Sequence, residues 1–141
     1  MKRNANAQWQ GDLKQGKGVI STDSGVLSDT QYSFGTRFEN GKGTNPEELI
    51  GAAHAGCYSM ALSMILGEDG LTPERIDTTA TVSLEQAEGG FDITAVHLDV
   101  SAKVPDTDQQ AFQQAAEKAK AGCPVSKVLN ADITMDAHLE Q

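Results

Sequence analysis

The sequence predicts an α+β fold in which β-hairpins are segregated around one long helix. Residues 78–88 and 91–104 predict two strands, and Gly89-Gly90 between them predicts a hairpin turn. Residues 49–66 contain no Asp, Glu, Lys or Arg, which indicates a buried helix. The predicted order βββ-α-ββ-αα-β argues against a doubly wound parallel sheet.

The first third of the chain predicts three short strands punctuated by glycines: 5–10, 18–22 and 32–39. In the third of these, larger apolar residues alternate with small or polar ones, which is typical of a half-buried strand. This pattern places Arg37 on the face opposite Phe34 and Phe38.

The long helix has a marked beginning and end. Asn45 can cap it, Pro46 suits its first position, and Glu48 can reach back to complete a capping box. We expect the helix to run to about Leu66 and to stop at Gly67.

The last third predicts two helices and a strand. Asp106 and Gln109 have the spacing that opens a helix, and Gly122 ends it. A shorter helix and a final alternating strand follow: 123–129 and 131–139. Without a linker, repeat or charge block, residues 1–141 are expected to form a single domain.

Composition narrows the function. The chain of 141 residues carries a net charge of −9 and has no stretch dense in Lys and Arg, so nucleic acid and membrane surfaces are excluded as partners. Aromatic residues make up only 5% of the chain, which predicts a light core and favours oligomerisation.

No segment predicts export or membrane insertion. Residues 49–66 are long enough to span a bilayer, but many are small or polar and both flanks are acidic, which indicates a helix in a soluble protein. Residues 5–10 form no apolar signal core, so we expect a cytoplasmic protein.

Two cysteines carry the possible chemistry. Cys57 would be reactive only if nearby donors or positive charge stabilised its thiolate, and the candidates are His54, one turn earlier, and Arg37. Arg37 is the better of the two because a guanidinium stays charged and can serve a carboxylate and a thiolate together.

Glu47 is a carboxylate that could hold Arg37. It precedes Cys57 by ten residues, which is ~15 Å of helix rise, so Glu47 and Cys57 of one chain do not easily meet. Two antiparallel copies of the helix would bring them together in a shared-site dimer. The simpler interpretation is a helix N-terminal carboxylate stabilised by the dipole.

Cys123 precedes Pro124 at a predicted helix start, where exposed N–H groups would lower its pKa. Local electrostatics therefore leave open which cysteine attacks first. A metal site at His54 and Cys57 is not expected, since His97 and His138 lack ligand spacing. The sequence also has no phosphate-binding glycine loop and no nucleophile elbow.

Two cysteine motifs resemble those of the OsmC (osmotically inducible protein C) family, a branch of the OsmC/Ohr peroxidases. The first is the run KGTNPEELIGAAHAGCYSMAL at residues 42–62, and the second is KAKAGCPVS at residues 118–126. Further similar segments extend the resemblance over nearly the whole chain: 9–12, 16–18, 24–27 and 76–80.

The resemblance implies a thiol peroxidase that reduces organic hydroperoxides and, less well, hydrogen peroxide, in oxidative and osmotic stress. It implies an intertwined homodimer with long central helices between antiparallel sheets and active sites at the subunit interface. Cys57 would be the peroxidatic cysteine, Cys123 the resolving one, and Arg37 with Glu47 would hold the thiolate. No bound cofactor is implied, only an external dithiol reductant of lipoyl type or a small dithiol.

Three further interpretations accompany this reading. Phe34, Phe38, Met60 and Met64 are expected to line a pocket for alkyl peroxides. A redox sensor could share both cysteines without a fast catalytic cycle. A structural or ligand-binding protein could keep the same fold with inert thiols.

Overall fold

The computed structural model describes residues 1–141 and groups them into two compact units, Met1–Leu49 and Ile50–Gln141. Both units combine strands and helices, so the predicted α+β class is confirmed. The expectation of a single domain stays a prediction.

The first unit is built on a three-stranded antiparallel sheet of order β1-β2-β3. Its strands are β1, Ala5–Gln10; β2, Lys17–Thr22; and β3, Thr30–Tyr32. Gly18 of β2 pairs with Trp9 on one side and Tyr32 on the other, and the two aromatic rings lie 5.4 Å apart between centroids. The sheet thus gathers aromatic surface around a residue that has no side chain.

The prediction of a strand over residues 32–39 is wrong, because a short helix, α1 (Phe34–Phe38), follows β3. Its capping box explains the difference: Thr36 N–H donates to the Ser33 hydroxyl, and Ser33 N–H donates to the Thr36 hydroxyl. Phe34 and Phe38 then contact each other one turn apart, with ring centroids at 4.9 Å.

The predicted orientation of Arg37 is wrong for the same reason. On a helix, Arg37 is not opposite the phenylalanines, and its guanidinium carbon lies 5.3 Å from the centroid of the Phe38 ring. The helix therefore brings a cation and two aromatic rings to one place.

The long helix α2 spans Pro46–Glu68. As predicted, Asn45 caps it by accepting the Glu48 N–H at 2.8 Å, and the Asn45 amide also donates to the Thr36 carbonyl at 3.2 Å. The helix passes the predicted stop at Gly67, and Gly70, with φ +77°, supports the turn that ends it.

The second unit contains a three-stranded sheet of order β4-β5-β6 and two more helices. The bounds are β4, Arg75–Ala87; β5, Gly90–Lys103; α3, Gln109–Gly122; α4, Pro124–Val128; and β6, Asp132–Leu139. β4 and β5 form the predicted hairpin, whereas β6 runs parallel to β5. The two helices supply the crossover that a parallel pair requires.

Asp106 does not cap α3. It adopts a left-handed φ of +67° in the preceding turn, and Asp108 accepts the Ala111 N–H at 2.8 Å in its place. The two aspartates have the same capping chemistry, so sequence spacing did not separate them.

One stripe of α2 lies in the core of the second unit: Gly51, His54, Tyr58, Leu62 and Leu66. It packs with the inward side chains of β5 and with Phe112 and Cys123. The expectation of a buried helix therefore holds for this stripe alone.

The other side of α2 faces outward in a single chain. Met60 and Met64 are 77% and 63% exposed, and this side, called here the Met60 face, also includes Ala52, Ala53, Gly56 and Gly67. By length and composition alone α2 could cross a membrane, and only 28% of its most apolar window is buried. The Met60 face is thus exposed and apolar, and its residues other than the two methionines are alanine or glycine.

Candidate active site

The two cysteines lie together in the second unit. Cys57 is in the middle of α2, Cys123 is between α3 and α4, and their sulfur atoms are 3.1 Å apart as a hydrogen-bonded pair of free thiols. Two residues separated by 66 positions in sequence thus form one sulfur pair within a single chain.

A break between two helices directs Cys123 inward. Its N–H donates to the Ala119 carbonyl at 2.9 Å and completes α3, while its ψ of 125° departs from helical geometry before Pro124 begins α4. Cys123 is completely buried, whereas Cys57 is partly exposed. A small molecule from solvent therefore reaches the Cys57 sulfur more readily.

The two thiols have different electrostatic surroundings. Burial, followed by the hydrogen bond with Cys123, raises the pKa of Cys57 above its usual value. Burial also acts to raise the pKa of Cys123, but the N–H of Ser126, the Cys57 thiol and the Ser126 hydroxyl outweigh it and lower that pKa. Within one chain, negative charge is therefore favoured on Cys123.

His54 does not contact Cys57 as a hydrogen-bond donor. It is completely buried, and its Nε2 lies 2.7 Å from the Ser126 hydroxyl oxygen, while its Nδ1 has no hydrogen-bond partner. Burial lowers the pKa of His54, so its imidazole is neutral at neutral pH. Sequence reasoning did not identify Ser126, since a serine two residues after a Cys-Pro pair carries no distinctive signal.

Arg37 and Glu47 form the predicted pair in the first unit. Arg37 Nε and Nη2 donate to the same Glu47 oxygen, Oε1, at 3.0 and 2.8 Å. The Glu47 side chain is 12% exposed and that of Arg37 38%, so the carboxylate is the more enclosed partner. This pair fixes the guanidinium in one orientation.

A cavity of about 250 Å³ adjoins Arg37 in the first unit. Its walls are aromatic and aliphatic apart from Ser33 and Arg37 itself: Trp9, Leu13, Tyr32, Phe34 and Phe38. Phe34 and Phe38 line this cavity, whereas Met60 and Met64 do not, and its use as a pocket for alkyl peroxides stays a prediction. Trp9, Leu13 and Tyr32 were missed because only the β1-β2-β3 pairing brings them to α1.

One group of side chains on the outer surface of the second sheet has metal-binding chemistry. Ligand atoms of His97, Asp99 and Asp136 lie within 4.8 Å of one another. His97 Nδ1 lies 2.6 Å from the Thr134 hydroxyl, and Nε2 is within 3.4 Å of both carboxylates. Pairing between the imidazole and the two carboxylates accounts for this arrangement.

The fold and the paired residues correspond to a known class of proteins. The family described as OsmC-like protein matches residues 39–138, which include Glu47, Cys57 and Cys123, and the chain belongs to this family. Over 138 residues, 98% of this chain and 96% of the relative, it is 57% identical to Peroxiredoxin OsmC of Escherichia coli (strain K12).

A more distant relative agrees with this assignment. Over 124 residues, 87% of this chain and 89% of the relative, the chain is 30% identical to organic hydroperoxide resistance protein OhrB of Bacillus subtilis (strain 168). The crystal structure of the B. subtilis OhrB superimposes on this chain with a TM-score of 0.69 at 27% identity. The alignment covers 97% of this chain and 98% of the OhrB chain.

A third comparison concerns the fold alone. The structure of an OsmC-like protein of unknown function from Vibrio cholerae O1 has a TM-score of 0.76 at 16% identity. The alignment covers 97% of this chain and 99% of the V. cholerae chain. This neighbour supports the fold, whereas the family match and the 57% identical relative confirm the OsmC resemblance that the cysteine motifs predicted.

Proposed function

We propose that this protein is a thiol peroxidase that reduces organic hydroperoxides to alcohols, and hydrogen peroxide more slowly, in defence against oxidative and osmotic stress. The observation that carries the proposal is the pair of free thiols 3.1 Å apart, one of them partly exposed. Its similarity to a peroxiredoxin and to an organic hydroperoxide resistance protein supports the same chemistry. We expect the protein to act in the cytoplasm.

In the first half of the reaction, the Cys57 thiolate attacks one oxygen of the peroxide. A sulfur–oxygen bond forms, the O–O bond breaks, and the alkoxide leaves and takes up a proton to become the alcohol. The sulfur is oxidised by two electrons to a sulfenic acid, and the peroxide is reduced by the same two.

In the second half, the Cys123 thiolate attacks the Cys57 sulfur and expels hydroxide, which takes up a proton to become water. The sulfurs need to approach by only about 1 Å, since a disulfide bond is about 2 Å long. An external dithiol then reduces the disulfide and is itself oxidised, so no bound cofactor is required.

Burial raises the pKa of Cys57 within one chain, so a nearby cation would be needed to stabilise its thiolate. We propose that the partner subunit's Arg37, held by the partner subunit's Glu47, stabilises the Cys57 thiolate in a homodimer. The ~15 Å of helix between Glu47 and Cys57 and the uncovered Met60 face support this arrangement. The dimer would thus complete two active sites at its interface.

The cavity beside Arg37 suits the organic part of a hydroperoxide. Its aromatic walls favour alkyl and aryl groups through burial of apolar surface, while the guanidinium can bind the peroxide oxygens. Hydrogen peroxide gains nothing from the apolar walls and is therefore expected to react more slowly.

Anaerobic titration of the reduced protein tests the proposal. One equivalent of cumene hydroperoxide should remove two thiols and lower the intact mass by two hydrogen atoms, faster than one equivalent of hydrogen peroxide does. Cys57→Ser is the matched control and should retain its remaining thiol. Two unchanged thiols in the native protein would contradict the peroxidase function.

A redox sensor is the second candidate, and the raised pKa of Cys57 within one chain is the observation that favours it. A sensor would form the same disulfide once but would turn over slowly even at saturating dithiol. Sustained peroxide consumption with dihydrolipoamide would decide for the peroxidase.

A further inference from the structure

We propose that His54 is a positioning residue for Cys123: its Nε2–H donates to the Ser126 hydroxyl and directs the hydroxyl hydrogen to the Cys123 sulfur. This inference rests on the proposed function, because it assigns His54 and Ser126 to the half of the cycle in which Cys123 acts as a thiolate.

The contacts of His54 carry the first step. Its side chain is completely buried, Nε2 lies 2.7 Å from Ser126 Oγ, and Nδ1 has no partner. A neutral imidazole has one N–H, and leaving a buried N–H donor unpaired is rarer in proteins than leaving an acceptor unpaired. The proton is therefore assigned to Nε2.

The Ser126 hydroxyl carries the second step. A hydroxyl has one hydrogen to donate, and when Nε2–H donates to Oγ, that hydrogen is free to turn away from His54. Ser126 lies in the first turn of α4, directly after Cys123, and its hydroxyl acts to lower the pKa of Cys123, as a donor to a thiolate does. The opposite tautomer would make Ser126 donate to His54 and would leave the thiolate without this donor.

The consequence lies in resolution and reduction. Once Cys57 is oxidised, Cys123 must be a thiolate to attack it, and when a dithiol attacks the disulfide at the more exposed Cys57, Cys123 must leave as a thiolate. The Ser126 hydroxyl serves both steps. The negative charge is on the Cys123 sulfur before Cys123 attacks the oxidised Cys57, and it returns to that sulfur when the dithiol breaks the disulfide.

The experiment measures the pKa of Cys123 in a Cys57→Ser background, from thiolate absorbance and from the pH dependence of alkylation. Two other titratable groups must be considered in this measurement: Tyr58 of α2, which interacts electrostatically with Cys123, and Glu117 of α3, which interacts with Tyr58. Tyr58 stays neutral over the range, because burial and then Glu117 raise its pKa and its hydroxyl donates to the Ala116 carbonyl at 3.2 Å.

We expect Ser126→Ala to raise the pKa of Cys123 by roughly one unit. His54→Leu should raise it by a similar amount, and the double variant should add nothing, because the two residues act in series. The control is Ser59→Ala, which removes another partly buried hydroxyl of α2, one bonded to Thr78 and not to a cysteine.

An unchanged pKa in His54→Leu, or additive effects in the double variant, would overturn the inference. Should His54→Leu fail to fold, two readouts replace it: His54→Gln, and nitrogen NMR of His54 in the native protein, which should show Nε2 protonated. A proton on Nδ1 would be equally contradictory.

These measurements use no peroxide, so they separate the inference from the proposed function. If peroxide is not consumed but the pKa shifts as expected, the peroxidase function fails and the contact from His54 through Ser126 to Cys123 stands. If peroxide is consumed, His54→Leu should slow disulfide formation about threefold, since a higher pKa lowers the thiolate fraction but raises its nucleophilicity. Formation of the sulfenic acid should keep its native rate.

Discussion

Cys123 is fully buried with its sulfur 3.1 Å from that of Cys57, so in the proposed cycle it would form the disulfide before the oxidised Cys57 meets more peroxide. In Cys123→Ser, we expect one rapid reduction of cumene hydroperoxide without a disulfide, followed by inactivation as the sulfenic acid becomes sulfinic acid. Intact mass should show the gain of one and then two oxygen atoms. A variant that cycles normally with dithiol would remove the resolving role.

His54 also makes folding sensitive to acid. Its pKa is lowered by burial, so below pH 6.5 the unfolded chain binds a proton that the folded chain does not, and the free energy of unfolding falls as pH falls. The slope attributable to His54 is at most about 1.4 kcal/mol per pH unit. Urea unfolding at pH 7 and at pH 5 measures this for the native protein and for His54→Gln. The free energy of unfolding should fall less between pH 7 and pH 5 in the variant, and an equal fall in both proteins would contradict the prediction.

The residues of the site differ in how far sequence predicts them. Cys57, Cys123, Arg37 and Glu47 are reactive or charged types in recognisable motifs, and the structure pairs them two by two. Ser126 is a common polar residue whose role depends on the turn of Cys123, which no local pattern encodes. Its importance arises from packing and so becomes visible only in three dimensions.

Helix α1 illustrates the limit at the level of elements. Phe34 and Phe38 are spaced by four, which satisfies both the period of a strand and one turn of a helix. The capping box of Ser33 and Thr36 decides between them, and it lacks the usual Glu or Gln that makes such a box recognisable. The long helix and the β4-β5 hairpin were predictable because their patterns extend over many residues.

Gly18 in β2 leaves space for the aromatic wall of the cavity. A Cβ there would lie 2.4 Å from Cε1 of Tyr32 and 2.8 Å from Cε3 of Trp9, so Gly18→Ala must displace both rings. We expect Gly18→Ala to lower the free energy of unfolding by about 1–3 kcal/mol. We also expect it to raise the KM for cumene hydroperoxide above the native value by a larger factor than it raises the KM for hydrogen peroxide.

Gly35→Ala is the matched control in the same unit, because its added Cβ meets no atom closer than 3.6 Å. It should leave both quantities close to native. If Gly18→Ala behaves like this control, the rings of Trp9 and Tyr32 do not define the cavity that the substrate uses.

At the level of the whole molecule, the proposed dimer makes a prediction about mixed subunits. Neither Arg37→Met nor Cys57→Ser should be active as a homodimer. If the site combines Arg37 of one subunit with Cys57 of the other, a heterodimer of the two variants contains one intact site and should recover about half the native activity. Activity of purified, doubly tagged heterodimers measures this.

A heterodimer as inactive as its parents would mean that each site is built within one chain. The Met60 face gives an independent check, because Met60→Glu should shift the protein toward monomers in sedimentation analysis by burying a charge at the interface. An undisturbed dimer would place the subunit contact elsewhere.

The sulfur pair has a consequence for the durability of the protein. A bond between Cys57 and Cys123 would close a covalent ring of about 66 residues, and restricting the unfolded chain in this way stabilises a protein by about 4 kcal/mol. The oxidised form would melt at a higher temperature and resist proteolysis longer than the reduced form. Within a cell, molecules that had met peroxide would then outlast those that had not until a dithiol released them.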